Sequence, residues 1–123
     1  VRNPVEFDQF ITGDLGFIGQ QILLYLLEKE GYQAGKNHKD CGILMYDQKT
    51  QDTHAGGSGC GCSASVLAGY ILPKIACGDW KRVLFVPTGA LMSKVSFSEG
   101  NSVPGIAQGV VLEWEEGEVE QTC

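Results

Sequence analysis

An α/β domain built on one mixed sheet is what this sequence predicts, and three observations predict it. Segments with strand patterning alternate along the chain with segments whose apolar residues recur every three or four positions. Lys81–Leu91, KRVLFVPTGAL, holds a continuous Val/Leu/Phe run of the kind buried on both faces between helices. Apolar residues make up 43% of the 123, enough for one domain with a single core.

The elements follow in order. Glu6–Asp14, EFDQFITGD, reads as a short strand ending at Gly13, with Asp14 placed to cap a helix. Leu15, Ile18, Ile22, Tyr25 and Leu26 then make a helical stripe that Gly31 stops. Gln33–Asp40 is a loop by composition, and Cys41–Asp47, CGILMYD, is an apolar run short enough for a buried strand. A polar connection leads to HAGGSGCGCSAS, His54–Ser65, and a helix from Ser63 to Cys77 whose stripe is Val66, Leu67, Tyr70 and Ile71, with Pro73 kinking or shortening its end. The Lys81–Leu91 strand, a long loop and a last strand Gly105–Trp114 complete residues 1–114 as one domain. The acidic tail 115–123 is expected to be disordered.

Composition excludes several function classes. The net charge is −6 and the longest basic cluster is Lys81-Arg82, so the phosphate-neutralising surface of a nucleic-acid binder is missing. The Ile22–Leu27 run falls far short of the roughly 20 apolar residues that span a bilayer. Five cysteines, an odd number without a secretory leader, point to a reducing compartment rather than a disulfide framework, with Cys41, Cys77 and Cys123 as core, helix-end and tail thiols.

The chemistry concentrates at Gly56–Gly61, beyond a strand end and at the mouth of a helix, where ligands of α/β sheets bind. Gly59-x-Gly61-x-x-Ala64 has the letters of a dinucleotide fingerprint, but it lies too far from the preceding strand. Cys60, Cys62, Cys41 and His54 or His38 have poor spacing for zinc. Two readings stay open. Cys60 or Cys62, in the first turn of a helix, would have its thiolate favoured, with His54 as base; or either is a small packing residue. Alternatively the backbone N–H groups of Gly56, Gly57, Gly59 and Gly61, with the Ser58 and Ser63 hydroxyls, cradle a carboxylate or phosphate.

The strings ITGDLGFIGQQIL, KDCGILMYD, HAGGSGCGCSASVLAGYILPKI, KRVLFVPTGALMS and NSVPGIAQGVVLEW together resemble the C-terminal part of the stage V sporulation protein AD family, in the thiolase-like superfamily. The resemblance spans roughly Glu6–Trp114. It implies a five-layered αβαβα architecture of two halves, of which this chain is similar to a βαβαββ remnant of the second. The nucleophilic cysteine of thiolase-like enzymes belongs to the other half, so Cys60 and Cys62 are not equated with it. Gly57 and Ser58 stand where condensing enzymes carry an asparagine, and Gln108 replaces the histidine of the family's last strand. These departures weigh against condensation, with Cys60 and His54 the catalytic pair if the chain were an acyltransferase. The resemblance implies a non-enzymatic sporulation protein without cofactor or resident metal. It would bind dipicolinic acid, or its calcium chelate, for uptake into the forespore. The ligand-binding residues would be His54, Gly56, Gly57, Ser58, Gly59, Cys60, Gly61, Cys62 and Ser63. The implied partners are membrane proteins of the same stage V operon, and the implied location is peripheral, at the cytoplasmic side of the forespore inner membrane. Self-association as a homodimer is the remaining expectation for an isolated half.

Overall fold

The computed structural model describes residues 6–90, 93–102 and 105–116. In chain order the elements are β1 (Gln9–Thr12), α1 (Gly16–Lys29), β2 (His38–Asp40), α2 (Cys41–Leu44), α3 (Cys62–Val66), a π-helical turn (Leu67–Ile71), α4 (Leu72–Ala76), β3 (Arg82–Val86), β4 (Thr88–Ala90), α5 (Lys94–Ser98), β5 (Gly105–Ala107) and β6 (Val110–Glu113). A four-stranded sheet has the order β2-β1-β3-β6, and β4 and β5 form a separate pair. β1 runs parallel to β2 and β3, whereas β6 is antiparallel to β3. The sheet is therefore mixed, as expected.

Alternation along β1 divides the two faces. Ile11 points to one side, where it joins Cys41, Cys62, Val66, Ile71, Ile75, Val83 and Phe85 in the core. Phe10 and Thr12 point to the other side, where they share a groove with Leu15, Gly19, Ile22, Leu23 and Leu26 of the α1 segment. α1 thus covers one face and the Cys62–Ala76 helical run the other. That run is continuous through the π turn, which falls immediately before Pro73, a residue with no N–H to give to regular helical pairing.

Several expectations are corrected. Gln33–Asp40 is not all loop: its last three residues are β2, an edge strand whose inward groups, His38 and Asp40, are polar and hydrogen-bonded. Cys41–Asp47 is not a strand, because the chain turns at the end of β2 and Cys41–Leu44 coils into α2, with Met45 N–H donating to the Cys41 carbonyl. The Lys81–Leu91 strand divides at Pro87, which has no N–H for a ladder, so β3 pairs in the main sheet and β4 in the small one. Residue 91 lies outside the described residues. β3 is buried on alternate residues, Val83 and Phe85, rather than on both faces. Gly105–Trp114 is likewise two strands, broken at Gln108-Gly109, and the long loop contains α5, capped by the Ser93 hydroxyl accepting from the Ser96 N–H at 3.3 Å.

α1 holds the largest surprise. The stripe that marks it as a helix is largely accessible: Ile18, Ile22, Tyr25 and Leu26 are 52 to 65% exposed. Ile22 and Leu26 line the groove beside β1 without being buried in it, and Gly16 is the buried residue of the helix. Gly31, at φ +85°, ends it as expected. Cys77, expected as a free thiol, is disulfide-bonded, and among the described residues Cys41, Cys60 and Cys62 are free. Residues 117–123 of the expected tail lie outside the described residues.

Candidate functional site

The parallel strands β1, β2 and β3 deliver Thr12-Gly13-Asp14, Asp40-Cys41-Gly42 and Val86-Pro87-Thr88 to one rim of the sheet, and the glycine-cysteine loop is tied across that rim. The loop is held at three points. The Phe17 N–H donates to the Ala55 carbonyl at 2.8 Å, the Gly57 N–H to the Gly42 carbonyl at 2.7 Å, and the Gly59 N–H to Asp14 Oδ2 at 3.1 Å. Asp14, expected as a cap for α1, does none of that work: it pins Gly59, and its own N–H donates to Thr88 Oγ1 at 3.1 Å.

The group that satisfies the start of α1 is Asp40, which pattern reading missed. Its Oδ1 accepts from the Leu15 N–H and its Oδ2 from the Gly16 N–H, each at 3.0 Å, while Thr12 Oγ1–H donates to Oδ1 at 2.6 Å. Thr12 has one hydroxyl proton and gives it to Asp40, so it accepts from His38 Nε2, 3.1 Å away. His38 Nδ1 is then left to accept from Gln20 Nε2 at 2.9 Å. Burial pushes His38 below its ordinary value despite the opposing pull of Asp40, which keeps the ring neutral and this chain of donors consistent. Thr12 and Asp40 are 1% exposed and His38 7%. The available signal was period two: His38 and Asp40 share a face of β2, opposite Phe10 and Thr12 of β1.

The loop residues fall into two groups. The amides of Gly56, Gly57, Gly59 and Cys62 are engaged by Thr53, Gly42, Asp14 and Gly59 respectively, so the full cradle expected from the glycines does not exist. Among the described residues, the amides of Ser58, Cys60, Gly61 and Ser63 have no hydrogen bond, and Ser58, Cys60 and Gly61 are exposed. His54 stands apart, with Nδ1 3.4 Å from Asp52 Oδ1 and both side chains at least 85% exposed. No hydrogen bond joins His54 to Cys60 among the described residues, so the two are not assembled as nucleophile and base.

The thiols differ sharply. Burial first, then the carboxylates of Asp14 and Asp40, push the Cys62 thiol up, and burial with Asp40, Cys62 and Asp14 pushes Cys41 up to about 12. Both stay protonated at neutral pH, as packing residues do. Cys60 is exposed. A thiol-specific reagent at pH 8, followed by peptide mapping, should therefore label Cys60 within minutes and leave Cys41 and Cys62 unlabelled until denaturant is added. Prompt labelling of Cys62 would show that the loop does not hold its observed position.

No group of three or more His, Cys, Asp or Glu is arranged to hold a metal ion among the described residues. No helix there is long and apolar enough to cross a membrane. Comparison with known proteins matches residues 1–113 to the family described as Stage V sporulation protein AD. The Stage V sporulation protein AD of Bacillus subtilis (strain 168) is 41% identical over 112 residues, which is 91% of this chain and 33% of that protein. The chain thus spans about a third of the length of the curated relative it matches. On these matches the chain belongs to the stage V sporulation protein AD family and is a sporulation protein.

Proposed function

We propose that this chain is the part of a non-enzymatic, dipicolinate-binding sporulation protein that presents the glycine-cysteine loop to the ligand. The observation that carries the reading is the set of unengaged amides at Ser58, Cys60, Gly61 and Ser63, at the carboxyl ends of three parallel strands in a member of this family. Backbone N–H groups and small hydroxyls suit a carboxylate, and glycine at 61 lets a planar ring approach the main chain. Dipicolinate, or its calcium chelate, would meet these four residues, while Gly56, Gly57, Gly59 and Cys62 hold the loop's shape. His54 belongs to the rim only if the ligand reaches it. The thiolase-like architecture, the stage V membrane partners and a peripheral position at the cytoplasmic side of the forespore inner membrane belong to the same proposal.

Calorimetric titration with dipicolinate, with and without calcium, tests it. Saturable heat is expected, without acylation of Cys60 by an acyl-CoA. Gly61 has open space where a Cβ would stand and no positive φ, so Gly61→Leu should fold normally. That variant should bind at least about tenfold more weakly, a loss near 1.4 kcal/mol. Absence of heat with the wild-type protein, or unchanged affinity in Gly61→Leu, would refute the assignment.

A further inference from the structure

We propose that the outer face of α1 and the apolar groove beside it form a two-fold interface with a second copy of this chain, the two α1 helices lying antiparallel between the two sheets. This stands whatever the glycine-cysteine loop binds. Residues 22–27 of α1, ILLYLL, are six consecutive apolar positions. At about 100° per residue they reach every side of the helix, a pattern that belongs to helices covered all round. α1 is covered on one side only: Leu23, Leu24 and Leu27 are half-buried, while Ile18, Ile22, Tyr25 and Leu26 lie open. The sheet beside it is open as well. Leu84 and Val86 pair in register with Phe10 and Thr12 and are only part-buried, and Val111, opposite Leu84 on β6, is exposed. Between this strip and α1 runs a groove of about 320 Å³, lined by Phe10 and Val86 from the sheet and by Gly19, Ile22 and Leu26 from the helix.

A second copy fits this surface in area, shape and charge. At roughly 200 Å² for a whole large side chain, the open α1 residues leave roughly 500 Å² of apolar surface, the size of the largest patch on an ordinary monomer. With the sheet strip included, burying the patch on both copies removes roughly 1,200 Å², where specific interfaces begin. Ridge and groove lie side by side on one chain, so a two-fold axis through Ile22 seats each ridge in the groove of the other copy. An antiparallel pair about that axis sets Ile18 of one copy against Leu26 of the other, and Tyr25 against Gly19, which has no side chain to obstruct it. Lys29, the charge on this ridge, has its Nζ 4.6 Å from the Tyr25 ring centroid. In the antiparallel pair it comes beside Leu15 and Asp14 at the start of the other helix, and the helix dipoles oppose. A parallel pair would set Lys29 against Lys29 and align the dipoles, which is unfavourable. An anionic membrane asks for a cluster of basic residues, and in a chain of net charge −6 the ridge offers Lys29 alone.

Sedimentation velocity on the whole chain, from about 1 to 200 μM, tests the interface. The chain should pass from monomer to dimer and stop there, because a two-fold contact closes. Ile22→Glu brings two carboxylates together on the axis and should weaken the dimer at least about tenfold, without shifting the urea midpoint of the monomer, in which Ile22 is exposed. Leu72→Glu, exposed on the helical run across the sheet, should leave the dimer intact. In a Cys60→Ser background, Ile22→Cys should oxidise to a cross-linked dimer, and Ile18→Cys mixed with Leu26→Cys should cross-link faster than either alone. A monomer throughout the range would overturn the proposal and leave this face to a segment of the family protein that this chain does not span. Assembly beyond a dimer, a dimer unmoved by Ile22→Glu or lost equally in Leu72→Glu, or Ile18→Cys alone cross-linking as fast as the mixture would each overturn it too. Should Ile22→Glu fail to fold, the cross-linking pattern decides.

Discussion

Asp40→Ala is expected to destabilise the protein by about 3–5 kcal/mol, because it removes one buried carboxylate and strands three donors. The Leu15 and Gly16 amides lie at the start of α1, where no residue of the helix itself can accept from them. Leu15 and Asp14 supply no side-chain cap there, so nothing local replaces Asp40. The Thr12 hydroxyl can swing toward the Lys39 carbonyl, now 3.4 Å away, but the two amides are fixed by the backbone. A small domain has about 5–15 kcal/mol in total, so this one substitution takes a large share of it. In urea, with a slope of about 1–3 kcal/mol per molar, the unfolding midpoint should drop by about 2 M. Asp40→Asn keeps one acceptor oxygen and turns an N–H2 toward a donor, so its loss should be intermediate, about 1–3 kcal/mol. Asp14→Ala is the control: its bond to Gly59 is exposed, and removing it should cost about 1 kcal/mol or less while loosening the loop. A loss below about 1 kcal/mol for Asp40→Ala would mean that water replaces the carboxylate and that α1 is not anchored by it.

The contrast between Asp14 and Asp40 shows which parts of this molecule pattern reading can reach. Asp14 stands before a helical stripe and looks like its cap, yet the turn that follows Gly13 sends its carboxylate toward Gly59. Asp40 lies in a polar run that looks solvated, and only the pairing of β2 with β1 brings it beneath the first amides of α1. Sequence patterns register residues close in the chain, whereas this contact joins positions 24 and 25 residues apart. The helix through Val66 and Ile71 and the strand at Val83–Phe85 were legible, since each carries enough periodic apolar residues to fix its type. CGIL was not, since four apolar residues fit a buried strand and a helical turn equally well. The loop's place at the carboxyl rim followed from strand order, but which amides remain open did not. That depends on Gly42 and Asp14 arriving from other strands to engage Gly57 and Gly59.

Gly42→Ala should be the next most damaging change, at about 3 kcal/mol, near the upper end for inserting one carbon into a packed interior. A Cβ at this position would collide with the Gly57 carbonyl oxygen, and it would also meet Asp40 Oδ2 at 3.1 Å and the Asp14 Cα at 3.4 Å. The first two contacts matter most, because one is main chain and the other is the carboxylate already fixed by three donors. Neither can retreat without breaking a bond that holds the site together. Relief has to come from the loop, whose Gly57 amide donates to the Gly42 carbonyl at 2.7 Å and would be pushed outward with it. The substitution should therefore do two things at once: lower the unfolding midpoint and make Cys62, 3% exposed, reactive toward a thiol reagent under native conditions. Gly35→Ala separates this from a general glycine effect, since a Cβ there meets nothing within 4 Å and the φ is not positive. That control should be neutral or stabilising by less than about 1 kcal/mol. If Gly42→Ala lowers stability while Cys62 stays protected, the strain is absorbed within α2. The contact between Gly42 and Gly57 would then not be what seats the loop.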